Sequence, residues 1–491
     1  MKSLDILKIT SLFLFLLFFS YFFQFLSPTL YGIDGYYHIK IAQLYKSKGL
    51  FKEFPWTQFS IFKHVFADKS LLFHLLLIPF TYLPLISGGK YGAIFFNFLY
   101  LIIFILIFKK KLSPSLLILS LLLPFFSLSF LNYWLYLRPQ VLANILMLLV
   151  FYFLLEKKWI KVAVVSSIFV LSHLSFPLAL IFAILIESLR YLKNKEFFFK
   201  NILGVILGIS IAILVHPQGI GNFLLIFYLN GIVVPLFSFL KLGGVLKLGV
   251  ELFPVLTNNL FVENLLVFLS LTAVIFHYLL FPKKLSLDTL CFFAGASFFS
   301  FLGMFFYRFW YPAVIFITLF ITFYLKDNYR KIKLKKILLC FLVFVIGLSF
   351  FESITHYYYN FLKSFIKSTI ERNLHYQRVA YWMRRNIPKG ELIYHAYWSD
   401  SPFFICMNPK NKYFVVLDPI FMWAEDPKKY YIYLDLGYGK IINSEEVLKK
   451  VFKVKYGYTR KSAGIYKKVK EDKKHFEILY EDKEGIVFRL K

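Results

Sequence analysis

Carboxylates are scarce in this chain. Against 57 Lys and Arg there are 27 Asp and Glu, a formal net charge of +30. Cysteine is scarcer still. Cys291 and Cys340 lie in apolar runs and Cys406 in a polar tail, none at metal-ligand spacing, so neither a disulfide framework nor a thiolate metal centre is supported. There is no Walker-type phosphate loop, no dinucleotide fingerprint and no internal repeat, so the motifs of nucleotide binding are missing. The positive excess does not point to nucleic acid. It stands in short clusters between apolar runs and in the tail, where lysines act as orientation signals and headgroup contacts.

What the chain has in abundance is apolar sequence, 59% of its 491 residues. Runs such as SLFLFLLFFSYFFQFL and ILLCFLVFVIGLSFF approach the length that crosses ~30 Å of hydrocarbon at ~1.5 Å per residue. The first is not followed by a small-residue cleavage pattern and reads as a retained transmembrane helix. Basic clusters at 109–111, 157–161, 190–200, 283–284 and 326–336 go to the cytoplasm by the positive-inside rule, with the N-terminus. One threading satisfies them all. Residues 8–27 go out, 28–90 stay outside, 91–108 return, 114–131 go out and 139–155 return. Residues 160–190 form a helical hairpin with its tip at 172–177. Residues 201–216 go out, 260–281 return, 286–306 go out, 309–325 return and 335–351 go out. The expected fold is a polytopic α-helical membrane protein of about eleven crossings with re-entrant or interfacial helices. A transmembrane domain would cover 1–351 and an extracytoplasmic α/β domain 352–491, in an inner or plasma membrane. Residues 71–86, interrupted by Pro79 and Pro84, read as re-entrant or broken; 222–257 lie outside or cross an even number of times.

Polar residues not used in the threading collect at its outer face: Asp34, His38, Asp68, His74, Arg138, His173, His216 and Arg308. Polar groups at membrane depth are costly and mark sites. In YGIDGYYHIKIAQLYKSKGLF, Asp34 and His38 share a helix face, and Tyr37, Ile41 and Leu44 form a stripe between lysines suited to a membrane surface. Asp34, and Asp68 in FADKSLLFH, serve either as helix caps or as a general base or divalent-cation ligand. Arg138 in LRPQVLANI and Arg308 in FFYRFWYP are headgroup anchors or ligands of a phosphate. His173 at the hairpin tip and His216 in VHPQGIGN are supporting candidates beside their ordinary structural roles. In the tail, ERNLHYQRVAYWMRRNIPKG reads as an amphipathic helix. ELIYHAYW, PFFICMN, KYFVVLDP and EGIVFRL read as strands.

The segment GIDGYYHIK resembles the first-loop acidic motif of membrane glycosyltransferases with the GT-C fold, a group that includes oligosaccharyltransferase catalytic subunits, protein O-mannosyltransferases and the lipid A aminoarabinose transferase. Uncharacterised bacterial members are similar also around FADKSLLFH. The detailed resemblance covers residues 30–80. The chain lacks a WWD-like acceptor motif, which argues against protein N-glycosylation; it also lacks the DE pair typical of O-mannosyltransferases and any acidic residue in 132–138. The resemblance implies transfer of a sugar from a polyprenyl-phosphate or polyprenyl-diphosphate donor to an extracytoplasmic lipid, glycan or protein acceptor. Asp34 then matches the catalytic-loop carboxylate, as base or as ligand of Mg²⁺ or Mn²⁺. Asp68 supports it, and Arg138 with Arg308 or His173 takes the leaving phosphate. The rival readings are a transporter or lipid-glycan flippase, for which mid-membrane charges and two related halves are expected, and a membrane-anchored binding or assembly protein.

Overall fold

The computed structural model describes residues 3–240, 246–254, 257–328 and 359–491. Among the described residues, five helices are long and apolar enough to cross a bilayer: Leu4–Leu26, Leu85–Phe108, Ile220–Phe239, Leu287–Phe305 and Tyr307–Asn328. The chain is an integral membrane protein of mostly helical build. Leu7 and Phe18 on the N-terminal helix are each 62% exposed, a surface suited to lipid and not to water. The expected crossing at 335–351 and the start of the tail at 352 lie outside the described residues.

By packing, the chain divides into two compact units. One holds Met1–Leu26, Tyr91–Val215 and Val250–Ile366, the other Ser27–Lys90, His216–Gly249 and Lys367–Lys491.

In the first unit, several segments follow the apolar pattern closely. The hairpin becomes helices Trp159–Val170 and Leu178–Asn194 around a turn at 171–177. Segments 139–155 and 201–216 become Gln140–Leu155 and Phe199–Leu214. Helix Phe199–Leu214 packs backbone to backbone on Trp159–Val170, because a Cβ on Gly204 or Gly208 would sit 2.6 Å from the Trp159 carbonyl oxygen or 2.1 Å from that of Ala163. A buried cluster holds the neighbouring helices: Arg190 pairs with Glu187 and donates to the Leu154 carbonyl at 3.0 Å, while Asn201 Nδ2 donates to Glu187 at 2.7 Å.

The segment 114–131 does not run through as one helix. Helix Pro114–Leu122 and a 3₁₀ turn at Leu123–Phe126 give way to helix Leu128–Leu135, bent by 87°. Pro124 has no N–H to continue the ladder and its ring crowds the preceding turn. Ser127 then starts the new helix, its Oγ accepting from Phe130 N at 3.0 Å. The return helix starts at Leu85 rather than 91, directly after Pro84, whose fixed φ suits the entry to a first turn.

The second unit is built on a five-stranded sheet in the order β2-β1-β3-β5-β4, with β1 Leu392–His395, β2 Lys412–Tyr413, β3 Tyr456–Arg460, β4 Phe476–Glu481 and β5 Gly485–Leu490. β1 is parallel to β2 and β3; β5 is antiparallel to β3 and β4. The first loop extends this sheet. Thr57 bridges Tyr413, Tyr413 N donates to Trp56 O at 2.7 Å, and Gln58 N donates to Tyr413 O at 3.0 Å. Two strand expectations change. PFFICMN is a helix, Ser401–Met407, buried along its whole length. A continuous apolar run carries no period, and Pro402 fits a first helical turn. KYFVVLDP contributes only β2, while β3 and β4 carry no strong alternation.

Candidate active site

The first-loop helix, Asp34–Lys48, sits in the second unit. Gly32, at φ +74°, turns the chain into it. Asp34 is the first helical residue and half-buried. The cap position is Ile33, with no side-chain capping bond, so the helix does not use Asp34 as its N-cap. The stripe expected to rest on a membrane surface is covered by protein: Tyr37, Ile41 and Leu44 are 3%, 0% and 7% exposed. Tyr36 packs on Phe403 of the Ser401–Met407 helix with ring centroids 4.5 Å apart. Helical spacing identifies an apolar face; it does not say whether lipid or protein covers it.

His38 and Asp68 come together through His74. Asp68 is buried, and its Oδ2 accepts from Tyr45 Oη at 2.7 Å and from His74 Nδ1 at 2.5 Å. Its Oδ1 accepts from Ser70 N at 3.0 Å, and its own N–H donates to Gln218 Oε1 at 2.6 Å. His74 Nε2 lies 2.7 Å from His38 Nδ1. Because a carboxylate only accepts, His74 donates from Nδ1. With one proton on each ring, His74 accepts at Nε2 from His38 Nδ1–H, and the lone pair of His38 is then on Nε2. Burial pushes the Asp68 carboxyl up, but the adjoining His74 and the hydrogen bonds from Tyr45 and Ser70 outweigh it and hold the group below its ordinary value. Burial raises the Tyr37 phenol well above its usual range, and the charges of Asp68 and Asp34 push it the same way; both carboxylates act on this one ring.

His216 also reaches this cluster. It is buried, stacks on Phe223 at 4.6 Å and is held below its ordinary pKa by burial, against the opposing pull of Asp68. Its Nε2 has no hydrogen-bond partner among the described residues. Gln218, two residues on, is the residue that sequence reasoning missed here. Its Nε2 donates to Phe51 O at 2.7 Å while its Oε1 fixes the Asp68 backbone. The signal was a lone amide in an apolar stretch after Pro217.

The other candidates belong to the first unit. Arg138 and Arg308 are brought together, onto a carboxylate. Arg138 Nη1 donates to Glu251 Oε2 at 2.6 Å and Arg308 Nη2 to Glu251 Oε1 at 2.9 Å. Burial alone would raise the Glu251 carboxyl; the two guanidinium charges hold it well below the carboxylate range. Glu251 was not singled out in the sequence, where it stands in an interrupted apolar segment. Nearby in the same unit, Tyr307 Oη donates to Glu263 at 2.7 Å. His173 closes its own turn, its Nδ1 2.7 Å from Ser175 Oγ and accepting from Ser175 N at 3.1 Å.

Among the described residues, the His, Cys, Asp and Glu side chains grouped closely enough to hold a metal ion are Glu445, Asp472 and His475.

No protein-family model matches the sequence, and no curated protein matches it. Solved structures do match in fold: the architecture is similar to that of an oligosaccharyltransferase and of ArnT. The Archaeoglobus fulgidus oligosaccharyltransferase in its apo form matches with a TM-score of 0.64 at 10% identity, over 92% of this chain and 69% of that one. AglB of the same organism, in complex with an inhibitory peptide and a dolichol-phosphate, gives 0.63 over the same shares, also at 10% identity. ArnT from Cupriavidus metallidurans bound to undecaprenyl phosphate gives 0.60 at 9% identity, over 98% of this chain and 97% of that one. At these identities the likeness carries the fold and assigns no residue its role.

Proposed function

We propose that this chain is a membrane glycosyltransferase that moves a sugar from a polyprenyl-phosphate or polyprenyl-diphosphate donor to an acceptor on the extracytoplasmic side. One observation carries the reading: a fold likeness over nearly the whole chain to solved structures that hold dolichol-phosphate or undecaprenyl phosphate. In the transfer, the bond between the anomeric carbon and the donor phosphate oxygen breaks. A bond from that carbon to the acceptor's nucleophilic atom forms. The acceptor's proton passes to Asp34, and the phosphate leaves on its polyprenyl chain.

Each part has a physical basis in the residues. Asp34 is half-buried at the start of the Asp34–Lys48 helix, where a carboxylate can serve as a general base. Asp68 accepts three hydrogen bonds; its part is to position His74 against His38 of that helix. Arg138 and Arg308 form a two-guanidinium fork that now holds a carboxylate, and phosphate oxygens would make the same charge-assisted bonds. The test is release of free polyprenyl phosphate from a labelled polyprenyl-phosphate sugar by the purified chain in liposomes. Release should require the lipid-linked donor. Turnover of a nucleotide sugar instead, or movement of intact donor between leaflets without release, would overturn the proposal.

A further inference from the structure

Within the second unit, apart from the Asp68 cluster, a cavity of about 650 Å³ opens beside the C-terminal half of the Asp34–Lys48 helix. Six lysines line it: Lys40, Lys46 and Lys48 from the helix, and Lys389, Lys410 and Lys412 from the tail. No carboxylate lines it, and among the described residues none of the six forms an ion pair with one. In a chain this rich in lysine a basic patch is ordinary. A concave one is not, because like charges around a low-dielectric wall repel and focus a positive potential into the space they enclose. Burial, with some help from Arg384, pulls the Lys40 ammonium below its ordinary pKa, as expected of a cation without a counter-ion.

Hydrogen bonds tie the walls together. Trp56, which also lines the cavity, donates from Nε1 to Pro409 O at 2.9 Å. Gly390 N donates to Lys410 O and Lys412 N to Glu391 O, each at 2.9 Å, and Asn411 Nδ2 to Pro388 O at 2.6 Å. Lys46 rests its ammonium 3.2 Å from the Tyr82 ring centroid. The size falls in the range of roughly 300–1,000 Å³ typical of small-molecule and short-oligomer sites. A concavity of this size suits one or two charged sugar rings better than a flat bilayer surface.

We propose that this lysine-lined cavity binds an anionic saccharide, one that carries phosphate or carboxylate groups on neighbouring rings. That this saccharide is the acceptor of the transfer rests on the glycosyltransferase reading above; the binding itself does not.

The experiment uses the full chain in nanodiscs of zwitterionic phosphatidylcholine, without donor, and fluorescence anisotropy of labelled oligogalacturonate and of a phosphorylated oligosaccharide. A neutral malto-oligosaccharide of equal length is the control. The two anionic probes separate carboxylate from phosphate as the source of charge. Binding of at least one of them, weakened by added salt, is expected, with no binding of the neutral chain. The double variant Lys48→Glu/Lys410→Glu should lose at least tenfold in affinity, Lys389→Glu alone should lose less, and Lys48→Arg/Lys410→Arg should retain binding. Equal binding of the neutral chain, unchanged affinity in the charge-reversed variants, or failure of both anionic probes overturns the inference. So does charge reversal that weakens only attachment to phosphatidylglycerol vesicles, which would make the lysines a membrane contact. Repeating the titration with Asp34→Asn keeps the two readings apart: binding by a chain with no transfer activity leaves the site standing and removes only its assignment as acceptor site.

Discussion

Asp68→Asn is the most informative single change in the second unit, because it alters one atom's hydrogen-bonding character and the rest of the cluster must respond. Oδ1 of Asp68 accepts from Ser70 N, and Oδ2 accepts from both Tyr45 and His74. An asparagine that keeps its oxygen on Ser70 N turns its NH₂ toward His74 Nδ1. His74 must then accept at Nδ1 and donate at Nε2, His38 must accept at Nδ1, and the lone pair on His38 Nε2 is replaced by a proton. Flipping the amide instead sets its NH₂ against the Ser70 N–H. Hydrogen bonds to a charged partner contribute about 1.5–3 kcal/mol each, and removing one side of a buried charged network costs about 3–5 kcal/mol. A loss near that range is expected, read by thermal unfolding in detergent. The transfer rate should fall further than folding explains, by up to about 10⁴-fold, the scale seen when a working histidine is held in the wrong tautomer. An Asp68→Asn chain that melts with the wild type and transfers at its rate would refute the assignment of Asp68 as the anchor of the histidine pair.

Other consequences follow from the same structure. Glu251→Gln removes the negative charge that shares Arg138 and Arg308, so affinity for polyprenyl phosphate should rise several-fold, while Arg138→Ala should lower it at least about tenfold, both read by ligand-quenching titration. Gly208→Ala sets a Cβ against the Ala163 carbonyl, which should cost about 1–3 kcal/mol of stability by forcing two helices apart. His216, His375 and His395 are held below their ordinary pKa, in each case mainly by burial. Their folded-state values are depressed, so the stability they contribute is present above the unfolded value of about 6.5 and is lost as pH falls through the folded values. The melting temperature should therefore drop between pH 7 and pH 5, and less so in His216→Gln.

The long helices were legible because lipid imposes a uniform demand for apolar residues over a fixed length. Leu287–Phe305 and Tyr307–Asn328 fall within a few residues of the expected 286–306 and 309–325. Pro124 was visible as a break, but the 87° turn it permits depends on the packing that receives the next helix. Ser401–Met407 defeated a reading by pattern because every side is buried. The site was half legible. Asp34, His38, Asp68 and His74 stand out as polar residues in apolar surroundings, but whether Asp68 is a cap, a base or an anchor is decided by Tyr45, His74 and Gln218, the last 150 positions away. Likewise Arg138 and Arg308 could be named, whereas Glu251 between them could not, since nothing local to an interrupted segment says which arginines it will meet.

The central claim is that Asp34 acts directly on the acceptor. The direct measurement is transfer of labelled sugar from a polyprenyl-phosphate donor by wild-type and Asp34→Asn chains reconstituted side by side, with their melting temperatures. The substitution keeps shape and removes the base, so a rate loss of about 10²–10⁴-fold is expected with unfolding unchanged. Transfer by Asp34→Asn at the wild-type rate would contradict it.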